Sequence, residues 1–203
     1  MMINDFFNGF KVPTKLYWDE GFEQILAVRR TLTDLYLQDW LEHGVTRWTW
    51  WLLLFIAIFP IFIWWKYTDR KRFLEISFFG LLVSIFSGLV DYLGVQLMWF
   101  AYPDRLIPTA ANYFPIDYVL IPVIYMLIYQ KYTAWKSFIG ANILVAAFLS
   151  LIADPVMVWL NIYQPLFWQY YYGIPTFVLI VVAAKAITAA IVLRDQSCLS
   201  TDT

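Results

Sequence analysis

The sequence predicts an all-α membrane protein: five transmembrane helices behind an N-terminal amphipathic helix, with helical hairpins that can be read as an internal duplication. Three observations lead there. Hydrophobic residues make up 62% of the 203-residue chain and charged residues 14%, against roughly 25% charged in a soluble domain. Five apolar runs approach the ~20 residues that a helix needs to cross a bilayer. Between those runs the loops alternate between basic and cation-poor, as loops on opposite sides of a membrane do.

The same composition excludes several classes. A formal net charge of -1 without any basic tract gives no footprint for nucleic acid. Cys198, the only cysteine, lies in the polar tail, so neither an internal disulfide nor a cysteine metal site is available. His43 is the only histidine, which leaves carboxylates as the groups for proton or metal chemistry. No cofactor and no metal is called for. The opening MMINDFFNGFK lacks the basic region and small-residue cleavage site of a signal peptide, so membrane entry is expected from the internal helices.

Residues 1–17 carry no clear pattern. From about 18 to 43, Ile25, Val28, Leu32, Leu35, Tyr36 and Trp40 recur at helical steps of three and four, and Gly44 follows as a C-cap. Two readings fit this amphipathic helix: one lying in the membrane interface, or one packed against the bundle as a lead into the first span. The first span, about 48–65, carries tryptophans at both ends, as at bilayer interfaces, and contains Pro60. The others are expected at about 73–99, 114–130, 137–160 and 174–193. The chain thus divides into an extracytoplasmic or interfacial segment 1–47, a membrane domain 48–193 and a cytoplasmic tail 194–203. Lys66, Arg70, Lys71 and Arg72 crowd the first loop, and Lys131 and Lys136 lie in the third. The positive-inside rule then sets those loops in the cytoplasm of a multi-pass cell-membrane protein, N-terminus outside and C-terminus inside. Arg29, Arg30 and Arg47 run against that trend.

Two of the loops read alike, KYTDRKRFL from Lys66 and KYTAWKSFI from Lys131. Each leads into a helix with an aspartate far along it, Asp91 or Asp154. An aromatic loop follows, with Trp99 and Tyr102 in the first copy and Tyr163 and Trp168 in the second, and then a helix opening near Pro115 or Pro175. A parallel repeat of this kind places a site between its copies.

The candidate site residues come from this pattern. At about 1.5 Å per residue, Asp91 and Asp154 lie ~27 Å and ~26 Å from the inner ends of their helices. That is just inside the outer edge of a core about 30 Å thick. Asp117 enters its helix at the same level from the other side. Asp91, Asp117 and Asp154 are therefore candidate acids, with Trp99, Tyr102, Arg105, Tyr163 and Trp168 as candidate ligand-binding groups around them. Structural readings stay open for each acid: Asp117 as a first-turn residue favoured by the helix dipole, Asp154 as a helix-end acceptor before Pro155, and Arg105 as a clamp on any of the three. Lys185, deep in the fifth span, either snorkels to the cytoplasmic interface or turns inward to a carboxylate or carbonyl. Ser84, Ser87, Gly88 and Asn142 read as packing residues.

The stretches TWWLLLFIAIFPIFIWWKYTDRKRFLEI, YFPIDYVLIPVIYMLIYQKY and DPVMVWLNIYQPLFW resemble an uncharacterised family of small five-helix integral membrane proteins from Bacillus and Clostridium relatives. The resemblance covers about residues 40–190 and implies a bacterial plasma-membrane protein, without an activity to carry over. The acidic helix end, the aromatic loop, Tyr102-Pro103-Asp104-Arg105 and the following proline and acid also resemble membrane lycopene-cyclase-like and meroterpenoid cyclases. That likeness implies a carboxylic acid that protonates an alkene or epoxide beside cation-stabilising rings. The paired-acid motif of those enzymes is missing, since Asp117 stands alone after Pro115 and Ile116.

Three functions are expected to compete. The first is a membrane component that binds a lipid, another hydrophobic ligand or a partner at an outer aromatic-acidic face. The second is acid-initiated isoprenoid cyclisation with one of the aspartates as proton donor. The third is a proton- or cation-coupled carrier, which with five spans would work as a homo-oligomer.

Overall fold

The structure is a computed structural model that describes residues 19–110 and 113–201, without the side chains of 195–201. The expectations for residues 1–18, for the Cys198 thiol and for 202–203 lie outside the described residues. Seven α-helical segments follow one another: α1 (Glu20–Asp39), α2 (Trp48–Tyr67), α3 (Phe73–Gln96), α4 (Ile121–Lys131), α5 (Trp135–Phe148), α6 (Asp154–Trp159) and α7 (Gly173–Thr201). π turns at Trp40–Gly44, Ile116–Leu120 and Leu149–Ala153 extend or join them, so that α5 and α6 form one continuous rod. Two short strands, β1 (Phe100–Ala101) and β2 (Gln164–Pro165), are the only sheet among the described residues.

Four stretches are long and apolar enough to cross a membrane: Trp48–Tyr67, Arg70–Gln96, Trp135–Trp159 and Tyr170–Arg194. Their outward faces carry large apolar side chains such as Leu74, Phe62, Leu144 and Leu179, as helices surrounded by lipid do. The helix expected at 114–130 does form, over 116–131, but at ~24 Å it is shorter than a hydrocarbon core of about 30 Å. It is instead the most enclosed helix, burying Ile121, Val123, Tyr125, Met126 and Tyr129 between its neighbours.

Asp19 caps α1 by accepting the Phe22 N–H at 2.8 Å, and Glu20 and Glu23 sit in the first turn, where the helix dipole favours acids. No residue of α1 is buried, and Ile25 is 61% exposed. Its apolar stripe is therefore not covered by the bundle. The helix meets the bundle through Tyr36, whose ring lies 4.0 Å from the Arg105 guanidinium, and through Arg47, which bridges Asp39 and buried Asp104. Gly44 is no left-handed cap. It sits in the π turn because an added Cβ would lie 2.8 Å from the Trp40 ring.

The span expected at 137–160 runs through Asp154, so the open reading of Asp154 as a helix-end acceptor does not apply. A proline inside a helix lacks its N–H and presses its ring on the carbonyl four residues back. Both Pro122 and Pro155 come two residues after a π turn, whose wider ladder takes up that mismatch. Asp154 thus keeps helical angles, φ -59° and ψ -47°.

α3 and α6 end alike. At α3 the N–H groups of Leu97, Met98 and Trp99 donate to Leu93, Val95 and Gly94, with Met98 left-handed at φ 57°. At α6, 63 residues further on (161 against 98), Leu160, Asn161 and Ile162 donate to Val156, Val158 and Met157, with Asn161 at φ 58°. Both chains then enter the antiparallel strand pair, in which Ala101 faces Gln164, its equivalent at the same spacing.

Lys185 turns inward. Its ammonium donates to the carbonyls of Thr133 at 2.8 Å and Tyr132 at 3.3 Å, just past the end of α4, and lies 4.0 Å from the Phe138 ring. Carbonyls at a helix C-terminus have no partner within the helix and attract a cation.

Candidate functional site

At the end of the bundle away from the basic loops, α3, the turn before α4, α6 and the start of α7 leave a cavity between them. Its volume is about 140 Å³, counted as the space open to the centres of water-sized molecules. Asp91, Asp117 and Asp154 all line it, together with Phe100, Tyr163 and Trp168. No lysine, arginine or histidine is on the wall.

Residues 63 positions apart recur on the wall. At a spacing of 63 residues, Asp91 corresponds to Asp154, Phe100 to Tyr163 and Asp117 to Ile180, and every one of these six side chains faces the cavity. Tyr113 and Thr176 make a further pair on the wall. The pair that differs most is Asp117 against Ile180, a carboxyl group against a hydrocarbon side chain.

Asp91 is buried and tied. Its carboxylate accepts the Tyr102 hydroxyl on one oxygen and the Tyr113 N–H, at 2.9 Å, on the other. Burial pushes the Tyr102 hydroxyl well above the ordinary phenol range, and the nearby aspartates push it further, so it stays a donor. Asp117, 5% exposed, accepts the Ser87 hydroxyl at 2.8 Å on one oxygen, while its other oxygen is buried without a partner. The Asp91 and Asp117 carboxyl groups are neighbours. Asp154 is half-buried and accepts no hydrogen bond from the described residues.

Ser87, read from sequence as a packing residue, is thus a site residue. It lies four residues before Asp91, on the same face of α3, and that spacing was the available signal. Tyr113 acts through its backbone, which no sequence pattern announces. Two candidates lie off the wall. Trp99 stacks on Trp168, centroids 5.4 Å apart, and its carbonyl accepts three backbone N–H groups of residues 166–168, so it positions Trp168. Arg105 clamps none of the three acids. It donates to the Tyr102 and Ala110 carbonyls and to the Tyr36 hydroxyl, because the loop turns it toward α1. The acid that does take an arginine is Asp104, held by Arg47 and Thr49.

Among the described residues no three acids, histidines or cysteines are arranged to hold a metal ion. What the arrangement offers is an apolar, ring-lined hollow with two carboxyl groups that still have acceptor capacity. Set against models of known families, curated proteins and solved structures, the chain matches none.

Proposed function

We propose that this protein is a polytopic membrane protein that binds a hydrophobic ligand in the acid-lined cavity between its two halves. The observation that carries the reading is the meeting of Asp91, Asp117 and Asp154 with Phe100, Tyr163 and Trp168 on one wall. Pockets of this make-up, mostly apolar with a few convergent polar groups, are the usual form of small-molecule sites. In this reading the enclosed helix 116–131 is the fifth crossing, and the halves are copies of one duplicated unit. The matching helix ends, the strand pair and the paired wall residues support the duplication. The basic loops face the cytoplasm, the cavity lies in the outer half of a cell membrane with the N-terminus outside, and α1 rests its apolar face on the interface. Membership in the five-helix family of Bacillus and Clostridium relatives belongs to the same proposal.

The test is saturable binding of 1-adamantanol, a compact neutral hydrophobe, to the purified protein in maltoside detergent, with uptake by empty micelles subtracted. Binding is expected in the unmodified protein and lost in Thr176→Phe, whose ring fills the cavity while the melting temperature holds. No saturable binding, or equal binding by the filled variant, overturns the proposal.

The unpartnered oxygen of Asp117 favours a second reading, acid-initiated cyclisation of an isoprenoid. Here Asp117 donates the proton and the rings stabilise the resulting cation. Identical polyprenyl lipids in membranes with the intact protein and with Asp117→Asn would dispose of it.

A further inference from the structure

Resting on the ligand-binding reading, we infer that the ligand is a lipophilic amine: a protonated nitrogen bearing at least one N–H, on a compact apolar body. Three features of the cavity define that class. The wall holds three carboxyl groups and no cation, which disfavours anionic ligands such as fatty acids and phosphates. Two of those groups keep unused acceptor capacity. One oxygen of Asp117 is buried on the wall without a partner, and Asp154 accepts nothing from the described residues. Buried polar atoms in native proteins are satisfied, so the buried Asp117 oxygen marks where a donor arrives. Asp91, whose oxygens are taken by Tyr102 and Tyr113, holds the corner in shape.

The broken symmetry of the wall orients the ligand. Asp117 on the first half faces its equivalent, Ile180, on the second, and Phe177 stands beside Ile180. An ammonium therefore sits against Asp117 while its hydrocarbon lies against Ile180, Phe177 and the Trp168 ring, with Asp154 as a further carboxyl group on the same wall. The rings add attraction for a cation, since their faces carry partial negative charge. A metal ion would find no ligand cage, since no three acids, histidines or cysteines among the described residues are arranged to hold one, whereas an ammonium is held by a single good acceptor.

Three probes with one hydrocarbon body separate the contributions: 1-adamantylamine, 1-adamantanol and 1-adamantyl-trimethylammonium. Equilibrium dialysis of the purified full-length protein at about pH 7, corrected for empty micelles, should show the amine binding at least about tenfold tighter than the alcohol, and the N–H-free quaternary salt falling between them. Asp117→Asn and Asp154→Asn should each shrink the amine-to-alcohol ratio, because each removes a negative charge that only the ammonium needs. The ratio in the unmodified protein needs no variant, so a variant that fails to fold does not decide the matter. Equal binding of amine and alcohol overturns the amine assignment and leaves the hydrophobic site standing. Binding of neither overturns both.

Discussion

Asp91 and Asp154 each lie about two turns before a left-handed residue, Met98 or Asn161, and each faces the same hollow. The halves treat them in opposite ways. In the first, the loop after β1 folds back so that the Tyr102 hydroxyl and the Tyr113 N–H both close on Asp91. In the second, the chain passes from β2 through the Tyr170–Tyr172 turn straight into α7, and nothing described donates to Asp154. Two acids in like positions thus differ in surroundings: Asp91 is held by two donors of the wall, and Asp154 by none among the described residues.

The largest expected effect tests that difference directly. Asp91→Leu leaves a buried hydroxyl and a buried N–H without an acceptor, each costing about 1–3 kcal/mol. The variant should lose about 4 kcal/mol, read as a large drop in the melting temperature of the purified protein. Asp154→Leu removes no hydrogen bond and should stay within about 0.5 kcal/mol of the parent. Equal losses would mean that the two acids are equally structural and that Asp154 has a partner in the folded protein.

A smaller effect sharpens the contrast one turn further along. Gly94 in the first half corresponds to Met157 in the second. A Cβ at Gly94 would overlap the Phe100 ring, which is buried and wedged beside Tyr102, Tyr163 and Trp168. Gly94→Ala should cost about 1–3 kcal/mol, the usual penalty for overpacking. Met157→Ala only widens the cavity and should cost less in thermal unfolding. The reverse order would show that the ring moves aside freely and that the first half is not the rigid one.

How much of this could be read beforehand depends on the range of the cause. The apolar spans are legible in the sequence because a lipid-facing helix needs an uninterrupted apolar run, as in WLLLFIAIFPIFIWW. The spacing of Asp91 and Asp154 is legible because the helices that carry them are regular enough to convert residue number into depth. The π turns at Pro122 and Pro155 are not, because a proline states that the ladder must change without stating whether the helix stops or widens. Tertiary enclosure decides that, and the packed wall around Asp154 favours widening. The closing of Tyr113 on Asp91 and the pairing of Arg47 with Asp104 join residues 22 and 57 positions apart through irregular loops. Such contacts follow no period, so no pattern in the chain announces them.

The smallest expected effect concerns the two helix ends themselves. Met98 and Asn161 both adopt left-handed angles, φ 57° and 58°. For an ordinary L-residue this conformation costs roughly 1–2 kcal/mol, because the Cβ crowds the carbonyl oxygen, whereas asparagine visits it readily. Met98→Gly removes that strain at an exposed site and should stabilise the protein by about 1 kcal/mol. Asn161→Gly should gain only a few tenths. Thermal unfolding of the two variants and the parent reads the difference, and the double variant should add, since each glycine acts on its own turn. A gain at Asn161 as large as that at Met98 would show that the second half's end is the strained one, which would reverse the division between a firm first half and a permissive second.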